Sequence, residues 1–292
     1  MRVGRTALSA GEAKDRADAA ALEFIALSER AAPLLSSSAP AAGKRRAPSL
    51  SRNDLRVALM SAVAGYVDAA GFVTLVGLFP AHVTGELVGA AVAISSGQLL
   101  RNPSRLAILP IFVFSVVIGA LVSRALRKRG RSPLGALLGL MAFTLAFFSA
   151  SDAVLPIFLA PTSALTTALR EGTAVAAMGF QNVIMRRVLS TSCPTTVMTG
   201  NLTQFIIEVV ELSVGRRKIK ARERSELHSE ADLRLRLVGL ALGAFTLCAI
   251  LGGYLTTTFG TLSVALPALL VFGMAVREAR HPTAASRTGT LF

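Results

Sequence analysis

Long blocks of apolar residues, separated by short clusters of Lys and Arg, are the feature that most constrains the fold of this chain. The blocks occupy residues 57–79, 81–96, 106–123, 134–151, 172–185, 195–213, 237–259 and 261–276. A helix of about 20 apolar residues spans a bilayer, and its backbone groups are paired within the helix. With a mean hydropathy of +0.58, the chain is predicted to be an all-α integral membrane protein of the multi-pass type.

The strongly basic charge, formally +14, does not indicate nucleic-acid binding here. The Lys and Arg residues lie in the gaps between apolar blocks, where membrane orientation explains them. Residues 1–52 lack the apolar core of a signal peptide and are predicted to be a disordered cytoplasmic tail. Residues 279–292 form a second tail. Cys193 and Cys248 have no metal-ligand spacing, and no enzyme motif is present, so we expect neither a cofactor nor an enzyme.

The charge pattern also predicts which blocks cross the membrane. If all eight crossed, the segment "RALRKRGR" (residues 124–131) would lie outside, against the positive-inside rule. The conflict disappears if residues 81–96 and 195–213 enter the membrane and turn back. This leaves about six transmembrane helices and two short re-entrant or broken helices, with both termini and the basic loop 215–236 in the cytoplasm. Seven or eight full spans are the alternative.

Two short phrases recur in the two halves of the predicted transmembrane domain, residues 53–278. The segment "GYVD" (65–68) aligns with "GFQN" (179–182), and "VTGEL" (83–87) aligns with "MTGNL" (198–202). Arg56 aligns with Arg170 at the starts of the halves, residues 56–151 and 170–276. Three crossings per half would invert the second half relative to the first. Inverted repeats with broken helices are common in transporters, with the binding site near the midplane.

Polar residues within these apolar phrases are the candidate binding residues. The set comprises Asp68, Thr84, Gly85, Glu86, Gln181, Asn182, Thr199, Gly200 and Asn201. An ionisable residue near the centre of a span, as predicted for Asp68, is a functional hypothesis, and its alternative is a hydrogen bond to a neighbouring helix.

The threonines of the two Thr-Gly pairs are expected to be N-caps. The N-termini of the two half-helices would then point a partial positive charge at a shared polar site that suits an anion or a carboxylate. Glu86 could titrate together with His82, although a lone histidine at a helix start can also be merely interfacial. Glu208 and Glu211 are expected to reach water at the cytoplasmic end of the second half-helix.

The segments "AGYVDAAGFVTLVGLFPAHVTGELV" and "GFQNVIMRRVLSTSCPTTVMTGNLT" resemble the YoaK family of bacterial multi-pass membrane proteins, a family of unknown function. The resemblance covers about residues 55–278. It implies the fold and a location in the bacterial cytoplasmic membrane, and it supplies no activity. The family pattern reads Thr-Gly-Asn in both places, whereas this chain has Glu86 in the first.

The residues themselves favour a secondary transporter or channel for a small polar or anionic solute, with membrane lipids as its other partner. The main alternative is a membrane scaffold or sensor whose tail and basic loop bind partners or anionic head groups. A lipid-modifying enzyme using Glu208 and Glu211 is a further alternative. A polar cavity that reaches both Thr-Gly motifs would favour transport over a scaffold.

Overall fold

The computed structural model describes residues 51–97, 105–160, 163–189, 198–215 and 224–281, and within them every regular element is helical. The helices are α1 (Arg52–Thr74), α2 (Val83–Ser95), α3 (Arg105–Lys128), α4 (Leu134–Phe158), α5 (Ala164–Arg187), α6 (Met198–Gly215), α7 (Arg224–Phe259) and α8 (Ala265–Arg280), with a 3-10 turn, Gly260–Val264, before α8. The all-α prediction is confirmed for this part of the chain. Residues 1–50 and 282–292 of the predicted tails, residues 216–223 of the basic loop, and Cys193 lie outside the described residues.

Helix ends differ from the ends of the apolar blocks, because capping and charged residues extend some helices and a tight turn shortens another. α1 begins at Arg52 behind a capping box, in which the Asp54 N–H donates to the Ser51 hydroxyl and the Ser51 N–H donates to the Asp54 carboxylate. It ends at Thr74, five residues before the predicted end, where Val76 and Gly77 have positive φ angles of 54° and 80°.

Four segments are long and apolar enough to cross a membrane: Arg52–Thr74, Ala107–Lys128, Leu134–Phe158 and Leu233–Arg280, the last containing both α7 and α8. By contrast, α2 has 13 residues and a length of about 20 Å, which is less than the roughly 30 Å of a bilayer core. α5 is a 24-residue helix that carries charge at both ends and buries Ala174, Met178 and Ile184 in the bundle.

One end of the bundle, which we call the basic end, gathers the starts of α1 and α4 and the ends of α3, α5 and α8. Arg127 on α3 donates to the carbonyl oxygen of Arg187 on α5, and Arg56 on α1 forms an ion pair with Glu278 on α8. Gly135, at the start of α4, lies beside Glu278. The Lys and Arg residues near this end are Arg52, Arg56, Arg124, Arg127, Lys128, Arg129, Arg131, Arg186, Arg187, Arg234, Arg236, Arg277 and Arg280.

The opposite end gathers the ends of α1, α4 and α7 with the starts of α5 and α8. Asp152 on α4 forms an ion pair with Arg170 on α5 and accepts a hydrogen bond of 2.7 Å from the Thr261 hydroxyl. The Tyr66 hydroxyl of α1 donates to the Ser263 carbonyl oxygen at 2.9 Å. Because α1 ends here and α3 begins here, the segment that carries α2 enters and leaves at the same end. The segment that carries α6 does the same at the basic end.

Four helix pairings make up the core. α1 packs along α7, α3 packs along α5, and α4 packs against both α5 and α8. The largest fully buried side chains, among them Met60, Met141, Phe148 and Met178, lie where these pairings meet. The short helices are peripheral, with α2 resting on α3 and α6 resting on α7.

Candidate functional site

The loop after α1 folds back against the helix that precedes it. A Cβ atom at Gly71 would lie 2.6 Å from the Pro80 side chain and 2.9 Å from the Leu78 carbonyl oxygen, so only glycine permits this contact. Leu78 and Ala81 are buried. The loop thereby returns to the level of Asp68, which is six residues before the end of α1 and thus about 9 Å inside it.

Asp68 holds this loop with both carboxylate oxygens. Its Oδ1 accepts the Ala81 N–H at 2.7 Å, and its Oδ2 lies 2.6 Å from Nδ1 of His82. Asp68 is 3% exposed, and hydrogen bonds to a buried charge are stronger than neutral ones. Asp68 lies nearer the end of its helix than predicted, because α1 ends at Thr74 and not at residue 79.

Glu86 binds the same loop from the α2 side. Its Oε1 accepts the Phe79 N–H at 3.1 Å, and the residue is 6% exposed. As a carboxylate in the first turn of α2, Glu86 is also favoured by the helix dipole. We call Asp68, His82, Glu86 and the N–H groups of Phe79 and Ala81 the carboxylate clamp. It ties a short irregular segment to the long helix α1 through Asp68 and to the short helix α2 through Glu86.

The first Thr-Gly pair lies beside the clamp without forming it. α2 begins at Val83, its N-cap is His82, and no side chain caps it. Thr84 is therefore the second helical residue, and the prediction that it is the N-cap is wrong. Thr84 and Gly85 are both exposed, and a Cβ added at Gly85 would meet no heavy atom within 4 Å.

The second-half candidates are used mainly in helix contacts. Gln181 is completely buried and donates from Nε2 to the Met60 carbonyl oxygen of α1 at 2.9 Å. Asn182 is half-buried and donates to the Met178 carbonyl oxygen of its own helix at 3.0 Å. Gln181 thus links α5 to α1, which is the kind of helix–helix contact that was the alternative interpretation of Asp68.

The remaining candidates follow the start of α6. Asn201 is buried, and its Nδ2 lies 3.6 Å from the Met198 sulfur, whereas Thr199 and Gly200 are exposed. Glu208 is also buried, at 5% exposure, and accepts a hydrogen bond of 2.9 Å from Gln204. The expectation that Glu208 reaches water is therefore wrong, and the side chain of Glu211 lies outside the described residues.

The structure brings together the first-half candidates Asp68 and Glu86 with His82, and it leaves the second-half candidates elsewhere. α2 and α6 form no packing interface with each other among the described helices, so their N-termini do not meet as expected. The N-cap residue of α2 and the helix α6 each contact α7 instead. The His82 ring lies 6.3 Å from the Phe245 ring, and a Cβ at Gly239 would lie 3.1 Å from Phe205 of α6.

The cavity nearest the clamp is almost entirely apolar. It has a volume of about 280 Å³ and lies between α2 and the first turns of α3, with Glu86 as its one ionisable lining residue. None of the four cavities described is lined by both Thr-Gly motifs. The part of the chain that the structure describes contains no group of three or more His, Cys, Asp or Glu side chains that could hold a metal ion.

Two ion pairs at the ends of the bundle were not predicted from the sequence. Arg56 and Arg170 stood out as equivalent arginines, but their partners, Glu278 and Asp152, are 222 and 18 residues away in sequence. A signal was nevertheless present: each arginine lies just before an apolar block, where a charge near the membrane benefits from a nearby opposite charge. Glu171, buried beside Arg170 at 4% exposure, carries the same signal.

A helical bundle with long apolar helices and buried carboxylates inside them defines a multi-pass helical membrane protein. The chain belongs to the family described as "Protein of unknown function (DUF1275)", whose model matches residues 57–277. The YoaK membrane proteins form a DUF1275 family, so the resemblance drawn from the two motifs is confirmed. Neither a curated protein nor a solved structure matched the chain.

Proposed function

We propose that the protein is a secondary transporter or channel for a small polar or anionic solute, built from two inverted halves with six crossings. The proposal places it in the bacterial cytoplasmic membrane, with the basic end and both termini in the cytoplasm. The concentration of Lys and Arg at one end of the bundle supports this orientation. At the opposite end, Arg105 begins α3 and is an exception to the positive-inside rule, whereas the charge of Arg170 is neutralised by its ion pair with Asp152.

The observation that carries the proposal is a mirrored pair of ion pairs. Arg56 on α1 pairs with Glu278 on α8, and Arg170 on α5 pairs with Asp152 on α4. Exchanging α1 with α5 and α8 with α4 converts one ion pair into the other. The two pairs lie at opposite ends of the bundle, which is the relation that an inverted repeat requires.

The close helix crossings follow the same exchange. A Cβ at Gly65 of α1 would collide with the Phe245 carbonyl oxygen of α7, and a Cβ at Gly179 of α5 would collide with the Ser115 hydroxyl of α3. Gly65 and Gly179 are the aligned glycines of the two halves. Glycine allows the backbones of membrane helices to approach closely, so each half uses its glycine for the same crossing.

The partner helices correspond in register as well. The segment "FTLCAILG" (245–252) of α7 aligns with "FVFSVVIG" (112–119) of α3. The final glycine of each meets the aromatic residue after the aligned glycine: Gly252 lies against Tyr66, and Gly119 lies against Phe180. These matched contacts support an internal repeat more strongly than the two short sequence phrases do.

We assign the carboxylate clamp to the coupling of solute transport to protons. Irregular backbone at membrane depth is tolerated where it is buried in protein or lines a wet cavity. Here it is held by Asp68, Glu86 and His82, and protonation of the carboxylates would weaken that hold. Contact of the solute with Thr84, Gly85, Gln181, Asn182, Thr199, Gly200 or Asn201 stays a prediction.

One observation favours the alternative, a membrane scaffold or sensor. The two Thr-Gly motifs do not line a common cavity among those described, and a protein that moves no solute has no need for one. The two functions differ in a direct measurement, because only a transporter or channel gives a solute-dependent current.

The test uses the full-length protein in proteoliposomes on a solid-supported membrane, with glutamate, succinate, phosphate and sulfate as probes. At least one probe is expected to give a protein-dependent current. That current should be lost in Asp68→Asn and retained in the matched variant Asp152→Asn, whose carboxylate lies outside the clamp. Absence of current with every probe, or equal currents in the native protein and Asp68→Asn, would favour the scaffold.

The proposed topology has its own test, independent of any solute. In a background with Cys193→Ser and Cys248→Ser, single cysteines replace Thr257 at the opposite end and Arg129 at the basic end. Both native residues are exposed. An impermeant maleimide should label Thr257→Cys on intact cells and Arg129→Cys only after permeabilisation. Labelling of both from the same side would contradict the six-crossing arrangement.

A further inference from the structure

A second cavity lies at the basic end, far along α1 from the clamp. It has a volume of about 390 Å³ and is bounded by the start of α1, by α4 and by the end of α8. Three arginines line it, Arg52, Arg56 and Arg277, and its apolar lining includes Leu59 and Leu138. The combination of several guanidinium groups with an apolar wall indicates an amphipathic anionic ligand.

The charges around this cavity are unbalanced. Arg56 is held by Glu278, whose side chain is 2% exposed, so one cation is already matched by a buried anion. Arg52 and Arg277 are exposed and add two further positive charges. Arg52 is also the first residue of α1, where the helix dipole disfavours a cation. Helix stability therefore does not explain this arginine.

We propose that this cavity binds one anionic phospholipid, with its phosphate between Arg52 and Arg277 and the start of an acyl chain along Leu59. Guanidinium groups bind phosphate bidentately and tightly. Basic pockets between membrane helices on the cytoplasmic side are suited to anionic head groups. A soluble anion would leave the apolar wall unused, with Leu138 at its base.

The N-terminal segment of the chain is a poorer occupant than a lipid. Residues 1–50 contain eight Lys or Arg residues against five Asp or Glu residues, so this segment is itself positively charged. Its net charge would be repelled by Arg52 and Arg277. An anionic phospholipid has the complementary charge and is present wherever the protein is inserted.

The test measures how the purified full-length protein in detergent distinguishes dioleoyl phosphatidylglycerol from dioleoyl phosphatidylcholine, by native mass spectrometry of bound lipid. The double variant Arg52→Gln/Arg277→Gln should lose at least about tenfold of this preference, because it removes both guanidinium groups that would bind the phosphate. The matched control is Lys128→Gln/Arg129→Gln, which removes two exposed cations from the same end outside the cavity. It should change the preference less than twofold.

Three outcomes would overturn the proposal. The native protein binds the two lipids equally, both double variants lose the preference equally, or glycerol phosphate competes as well as the whole lipid. The second would indicate a diffuse surface potential, and the third would exclude the acyl-chain contact. Far-UV circular dichroism confirms that each variant is folded. None of these readouts depends on transport, so they are separate from the proposed function.

Discussion

The contact between Asp68 and His82 gives the sharpest prediction, because removing it leaves specific buried groups without partners. Asp68→Ala removes the acceptor of the Ala81 N–H and the partner of the imidazole, which lie 2.7 and 2.6 Å from the carboxylate. Hydrogen bonds to charged groups contribute about 1.5–3 kcal/mol each, although bonds between membrane helices average nearer about 0.6 kcal/mol. We therefore expect a loss of about 2–4 kcal/mol in the free energy of unfolding.

A double-mutant cycle with His82→Ala isolates the side-chain pair from the backbone bond. The His82 side chain is 40% exposed, so its pairing with Asp68 is partly screened, and we expect a coupling energy of about 1–2 kcal/mol. Unfolding by SDS in mixed micelles, followed by far-UV circular dichroism, provides the measurement. Asp68→Asn keeps an oxygen for the Ala81 N–H and should lie between the native protein and Asp68→Ala. A coupling energy below about 0.5 kcal/mol, within the range of additivity, would refute the clamp as a coupled unit.

Two further predictions use the same unfolding assay. Gly65→Ala should lower the free energy of unfolding by about 1–3 kcal/mol, because its new Cβ would collide with the backbone of Phe245. In the control Gly243→Ala, the new Cβ meets no heavy atom within 4 Å, so stability should stay the same or rise by up to about 1 kcal/mol. Equal effects of the two substitutions would contradict the close crossing of α1 and α7. Arg56→Gln should cost about 3–5 kcal/mol, because it removes the positive charge that is paired with the buried Glu278 carboxylate. Asp152→Asn, whose native side chain is 43% exposed, should cost less than about 1 kcal/mol. The reverse order would contradict the burial difference between the two ion pairs.

The sequence predicted the helices and the grouping of their ends well, because both depend on local composition. Within the described residues each of the eight apolar blocks corresponds to a helix, since a run of apolar residues at membrane depth pairs its backbone groups by forming a helix. The positive-inside rule placed residues 124–131 in the cytoplasm, and Arg127 of this segment contacts the Arg187 carbonyl oxygen at the basic end. Only the helix boundaries shifted, as expected where charged and capping residues extend a helix beyond its apolar core.

The carboxylate clamp could not be predicted from sequence patterns. A carboxylate in an apolar block has the same appearance whether it binds a solute, a neighbouring helix or a returning loop. The choice depends on whether a loop can approach the helix, and that depends on the missing side chain of Gly71 opposite Pro80. The prediction that the two Thr-Gly motifs meet was wrong for a related reason. Equivalent positions in a repeat need not be neighbours in space, and sequence similarity does not show which of them are.

The two proposed halves agree in their packing residues and differ in their polar residues. The aligned pairs that make helix crossings or ion pairs are identical, Gly65 with Gly179 and Arg56 with Arg170, whereas the aligned pairs in the polar phrases are Asp68 with Asn182 and Glu86 with Asn201. The second half makes the same crossings with amides at these positions, so packing does not require the two carboxylates. The two carboxylates are therefore needed for the carboxylate clamp and not for the helix crossings. Among the described residues only the first half has this clamp. A proton that reaches Asp68 or His82 acts on one half alone, and the expected loss of current in Asp68→Asn follows from that asymmetry.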